Sequence, residues 1–116
     1  MKNAFLVFSY THNDKPNMPL MLHVLLFANE MKEKGEDVKI IFEGEGVNWA
    51  KDLLNEEHPF SNHAKQLMDN FVVCEACASM FGVLGDIKDN LTVENDLFGH
   101  ISLKKYLDEG FNVIKF

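Results

Sequence analysis

The sequence predicts an α/β fold: one three-layer domain over residues 1–116, with a mainly parallel sheet of about five strands and helices on both faces. Three observations carry this prediction. Short, continuous apolar runs recur along the chain, as expected of strands buried on both faces. Between them stand segments whose apolar residues recur at helical spacing. Gly and Pro fall at the joints, while no repeat, low-complexity tract or linker divides the chain.

The first run, Ala4 to Phe8, ends at Ser9-Tyr10 and reads as a buried strand. The polar loop Thr11-His12-Asn13-Asp14-Lys15-Pro16-Asn17 leads into a helix over roughly Pro19 to Lys34. Asn17 or Met18 lies near its cap, Pro19 suits its first turn and Gly35 stops it. Val38 to Phe42 is the second strand, broken by Glu43-Gly44-Glu45-Gly46. Val47, Ala50, Leu53 and Leu54 mark one face of a short helix that ends before Pro59. Ser61 is placed to cap a further helix with Ala64, Leu67 and Met68 turned inward. Phe71 to Cys74 is the third strand, followed by one or two helical turns from Ala76 to Phe81. Gly85 to Gly99 carries the weakest pattern, with a short strand at Leu91-Thr92-Val93. Leu103, Tyr106 and Leu107 mark a last helix closed by Gly110, and Phe111 to Phe116 is a final strand.

The composition excludes several functions. A chain of 116 residues, 47% hydrophobic and 25% charged, has the balance of a globular domain rather than a disordered one. The net charge is −7, arginine is absent, and the eleven lysines are scattered. Such a surface repels a phosphate backbone and lacks the bidentate clamp for phosphates, so nucleic acid is not an expected partner. The longest apolar stretch, Met18 to Met31, holds His23, Asn29 and Glu30 and is too short and polar to span a bilayer. No signal-peptide pattern opens the chain, so no membrane partner and a cytoplasmic location are expected. There, two cysteines are thiols rather than a structural bridge.

In an open parallel sheet, ligands gather beyond the carboxyl ends of the strands. Three segments should project there: the loop around His12 and Asn13, the Glu43–Gly46 loop, and Cys74 with the helix after it. Cys74 ends a strand just before a helix start, where free N–H groups favour a thiolate, opposed by the charge of Glu75. Cys77 stands three residues on, which sets sulfur chemistry level with the reading of two inert packing thiols. A thioredoxin-like motif would follow an early strand; this one follows the third. A zinc site needs two further ligands. His12, His58, His63 and His100 are available, but none stands at paired spacing, so neither metal nor cofactor is expected. His12 is the one histidine expected at the site. His23 should pack in a core or groove, and His58 and His63 should be solvated. Trp49 should be core, and Glu43 and Glu45 solvated carboxylates rather than an acid–base pair. Gly44-x-Gly46 lacks the context of a phosphate loop.

The segment Val73-Cys74-Glu75-Ala76-Cys77-Ala78-Ser79-Met80-Phe81-Gly82-Val83 resembles the cysteine segment of the DsrE/DsrF-like family, in particular its YchN-like branch, where Cys-x-x-Cys precedes a glycine and an aliphatic residue. The opening strand–loop–helix, the strand ending at Ile41-Phe42 and the terminal Asn112-Val113-Ile114-Lys115-Phe116 also match, so the resemblance covers nearly the whole chain. It implies a compact α/β fold, symmetric homo-oligomers (trimers or hexamers), and a cysteine that carries sulfane sulfur as a persulfide between donor and acceptor proteins of a sulfur relay. Cys74 matches that acceptor cysteine and Cys77 the branch's extra one, with His12 as a proton shuttle. Many relatives have arginine just before the glycine; Met80-Phe81 stands here and could pack on a neighbouring subunit. The alternative is a non-catalytic oligomeric module that binds a ligand or protein and whose cysteines are packing. A reversible Cys74–Cys77 redox sensor is the third reading.

Overall fold

In the computed structural model, which describes residues 1–116, the apolar runs become parallel strands. Strand β1 (Lys2–Val7) leads into a hairpin of β2 (Thr11–His12) and β3 (Lys15–Pro16). Helix α1 (Met18–Glu33) returns the chain to β4 (Asp37–Phe42). A 3₁₀ turn at Gly44–Gly46 opens α2 (Val47–Leu54); α3 (Ser61–Lys65) and a 3₁₀ turn at Met68–Asn70 lead to β5 (Phe71–Cys74). Helices α4 (Glu75–Met80) and α5 (Leu84–Ile87) precede β6 (Thr92–Glu94), and α6 (Leu103–Asp108) precedes β7 (Asn112–Lys115). The main sheet runs β6-β5-β4-β1-β7, with every neighbouring pair parallel.

The register divides the side chains between two unequal faces. Phe5 lies opposite Ile40, and Ile40 opposite Phe71; this face, with Val7, Phe42 and Val73, is fully buried. Helices α1 to α5 touch one another in a chain of contacts and form one layer. Right-handed crossovers place that layer on this face, since β1, β4, β5 and β6 follow one another in a single direction across the sheet. The alternate residues Ala4, Leu6, Ile41, Val72 and Cys74 form the other face, which α6 covers. Its Tyr106 hydroxyl donates to Glu94, the register partner of Cys74. Two helical turns cannot cover five strands, so Leu6 and Val113 stay half-buried and Lys39 and Lys115 are tolerated there.

Most elements form for local reasons. The Asn17 side chain accepts the Leu20 N–H at the start of α1, and Met21, Val24, Leu25 and Ala28 give its buried stripe. The apolar stretch is wider than that stripe. His23, expected to be packed, is therefore exposed beside Phe27, with its Nδ1 2.7 Å from the Pro19 carbonyl. Ser61 does not cap α3. It is buried as the first helical residue, and the turn before it is held by the Phe60 N–H donating to His58 Nδ1. The polar loop after β1 is a hairpin because Asn13 and Asp14 both take positive φ (52° and 61°), the combination of a type I′ turn.

The β1 and β4 ends are locked together by the turn that opens α2. Trp49 is fully buried as expected, and its indole N–H donates to the Ser9 carbonyl at 2.8 Å. The Glu45 carboxylate accepts the N–H groups of Tyr10 (2.9 Å) and Thr11 (3.0 Å) together with the Thr11 hydroxyl, tying the hairpin to the turn. Gly46 is required by close approach: a Cβ there would lie 2.1 Å from the Val7 carbonyl oxygen. Gly46→Ala is therefore expected to cost about 3 kcal/mol or more in urea unfolding, at the upper end of overpacking effects. The N–H groups of Thr11 and then Tyr10 hold the Glu45 carboxyl below its ordinary range. Its bonds are complete above the usual carboxylate pKa of about 4.3 and are lost as pH falls through the lower folded value. The Tyr10 and Thr11 amide resonances should titrate with a midpoint below 4.3, and Glu45→Gln should abolish that titration (about 4.3 being the free-peptide value).

Candidate functional site

Adjacent strands whose outgoing connections pass to opposite faces leave a crevice beyond their carboxyl ends. Here those strands are β5, which feeds α4, and β6, whose connection crosses to α6 and β7. Cys74 is the last residue of β5 and stands in that crevice as the N-cap of α4, its Sγ accepting the Cys77 N–H at 3.5 Å. One helical turn carries Cys77 back beside it.

Two further side chains arrive from other loops. Glu43 follows β4; its N–H stays bonded to the Val7 carbonyl, which fixes the backbone and leaves the side chain free to reach the cysteines. Its Oε2 accepts from the Cys77 thiol at 3.6 Å, and its Oε1 accepts the Ile101 N–H at 3.4 Å. His100 comes from the loop after β6. That loop closes on itself through a reciprocal pair of backbone bonds between Leu97 and His100, with Phe98 and Gly99 at positive φ between them. The Ala76 N–H donates to the Gly99 carbonyl at 2.9 Å, docking the turn on the start of α4. His100 Nδ1 then lies 3.2 Å from Cys74 Sγ and 3.5 Å from Cys77 Sγ. The ligating atoms of Glu43, Cys74, Cys77 and His100 all fall within 4.8 Å of one another.

The structure changes several expectations drawn from the sequence. His12 is not at the thiols; it sits exposed on the β2–β3 hairpin, beyond Glu45, and the imidazole beside the cysteines is His100. Glu43 and Glu45 separate, one facing the sulfurs and the other pinning the hairpin. The metal-capable donor set expected to be absent is present in Glu43, Cys74, Cys77 and His100. His58 is half-buried and bonded within its own turn, and His63 is exposed. The thiolate expected at the helix start is also opposed. Both cysteines are buried free thiols, Cys74 completely and Cys77 with 7% exposed. Burial is the main cause that pushes the Cys74 thiol up to about 12, with the Cys77 side chain and the Glu43 charge adding to it; the single Cys77 N–H pulls the other way without prevailing.

Residues 2–116 match the DsrE/DsrF-like family. The chain belongs to that family. A relative, an uncharacterized protein of Methanocaldococcus jannaschii, is 65% identical over 115 residues, covering 99% of this chain and 95% of that protein. A conserved protein of unknown function from Bacteroides thetaiotaomicron shares the fold at 15% identity and a TM-score of 0.58, covering 98% of this chain and 95% of that one. In this DsrE/DsrF-like chain the parallel sheet carries, at the carboxyl end of β5, a cluster of two thiols, an imidazole and a carboxylate. No helix is long and apolar enough to cross a membrane.

A buried, neutral thiol reacts slowly, because the thiolate is the nucleophile. Iodoacetamide at neutral pH is expected to modify Cys77 before Cys74 in the folded protein, as read by mass spectrometry. Cys74 should react more slowly, its rate rising steeply on unfolding or at strongly alkaline pH. Because its folded thiol holds the proton more tightly than an unfolded one, this group's contribution to stability falls as pH rises above about 8.5.

Proposed function

We propose that this DsrE/DsrF-like protein carries sulfane sulfur as a persulfide on Cys74. The observation that supports this reading most is the contact between Cys74 Sγ and His100 Nδ1 at 3.2 Å. It supplies the base that a thiol pushed up by burial requires. His100 accepts the Cys74 proton as the sulfur attacks the terminal sulfur of a donor persulfide. The S–S bond of the donor breaks, its thiolate leaves, and that thiolate takes up a proton. Cys74 then holds S–SH and the donor is a thiol. Transfer to an acceptor thiol reverses these steps on a different partner. Alternatively, Cys77 attacks the inner sulfur of Cys74, which forms the Cys74–Cys77 disulfide and releases hydrogen sulfide; an external thiol must then reduce the disulfide.

Donor and acceptor proteins are the partners in this reading, which operates in the reducing cytoplasm, and the chain works as a homo-oligomer. The exposed Met80 and Phe81, at the end of α4, and Leu97 and Phe98, on the His100 loop, offer apolar surface on the two segments that carry the site. Burial of both thiols favours a second reading, in which the cysteines are packing and the fold serves as a non-catalytic binding module.

Incubation with a small-molecule persulfide donor, followed by persulfide-selective labelling and peptide mapping, separates the two. The carrier reading expects label on Cys74 that is lost in Cys74→Ala and kept in Cys77→Ala. Loading should slow by about 10²-fold in His100→Ala, the lower range for a lost general base. Label that survives in Cys74→Ala would overturn Cys74 as the carrier, and no label on either cysteine until the protein unfolds would leave the binding module as the function.

A further inference from the structure

We infer that Glu43, Cys74, Cys77 and His100 form a four-ligand site for a thiophilic divalent cation of the zinc class. The donor set is two sulfurs, one nitrogen and one oxygen, brought from three separate segments of the chain to within 4.8 Å of one another. A tetrahedral zinc ion has bonds of about 2.3 Å to sulfur and about 2.0–2.2 Å to nitrogen or oxygen, so its sulfur–nitrogen and sulfur–oxygen edges span about 3.5–3.6 Å. Cys77 Sγ lies 3.5 Å from His100 Nδ1 and 3.6 Å from Glu43 Oε2. The Cys74–His100 edge, at 3.2 Å, has to open by only about 0.3 Å to reach that geometry.

Burial points the same way: both sulfurs belong to free cysteines shielded from solvent, and each lies within 3.5 Å of the His100 imidazole. The carboxylate is already oriented, because Glu43 Oε1 accepts the Ile101 N–H and leaves Oε2 toward the sulfurs. Two thiolates with one imidazole and one carboxylate in tetrahedral array select zinc-like ions over magnesium or calcium, which need six or more oxygens. The site shares Cys74, Cys77 and His100 with the proposed sulfur transfer but does not rest on that reading, and a bound cation would occupy the sulfur that a persulfide needs.

Cobalt(II) is the probe. Titrating the reduced, folded protein anaerobically is expected to give thiolate-to-cobalt charge-transfer absorption in the near ultraviolet and intense tetrahedral visible bands, saturating at one ion per chain and abolished by zinc. Cys74→Ser and Cys77→Ser should each weaken the charge-transfer bands, and the double variant should remove them. His100→Ala and Glu43→Gln should weaken binding by about 10-fold or more while leaving charge transfer at high cobalt. Zinc should raise the melting temperature of the wild type and much less that of Glu43→Gln, a variant that keeps the acceptor for Ile101 and the fold. Absence of charge transfer at stoichiometric cobalt overturns the site. So does cobalt binding that His100→Ala and Glu43→Gln leave unchanged. Persulfide labelling of Cys74 is scored separately in metal-free protein, so either conclusion can fail without the other.

Discussion

Strands β1, β4, β5 and β6 are laid across the sheet in one direction, and β7 then returns to the far side of β1. Parallel connections are right-handed, so this one reversal forces the β6–β7 connection onto the face that every earlier helix avoids. The crevice between β5 and β6 follows from it, and so does the position of Cys74 at its floor. The same reversal explains why one face of the sheet is sealed by a layer of five helices while the other depends on Tyr106, Phe111 and the turns of α6.

Within that frame, a few backbone contacts set the chemistry. The Ala76–Gly99 hydrogen bond seats the His100 turn on α4, and the Leu97–His100 pair makes the turn rigid enough to aim a ring. Gly99 suits this role on two counts: its φ is 89°, and a Cβ there would lie 3.3 Å from the Ala76 Cβ. Glu43 is fixed in the same manner, its backbone bonded to β1 and its carboxylate to Ile101. Glu43 and the His100 turn are thus both held by main chain outside their own segments.

Burial and activation pull against each other at Cys74. A helix start favours an anion, but α4 has only six residues, and a single N–H reaches the sulfur. Desolvation outweighs that one bond, and the nearby Glu43 carboxylate adds to it. The neutral thiol that results is inert alone. Both proposals made for the site answer this in the same way, by giving the sulfur a place to lose its proton: to His100, or in exchange for a cation.

The sequence by itself determined the elements and the fold class. Continuous apolar runs mark β1, β4 and β5, Asn17 and Gly35 bound α1, and the segment around Cys74 and Cys77 identifies the family; these signals are local, set by side-chain periodicity and backbone preference. His23 misled because a wide apolar stretch does not say which stripe is buried, and His12 because two loops at one sheet edge need not meet. Only the tertiary structure decided that His100 and Glu43 join the cysteines. No periodicity links residues so far apart in the chain, and β6, the strand that launches the His100 loop, has the weakest pattern of all. The handedness of a single crossover and the seating of one two-residue turn made that choice, and both act through space rather than along the chain.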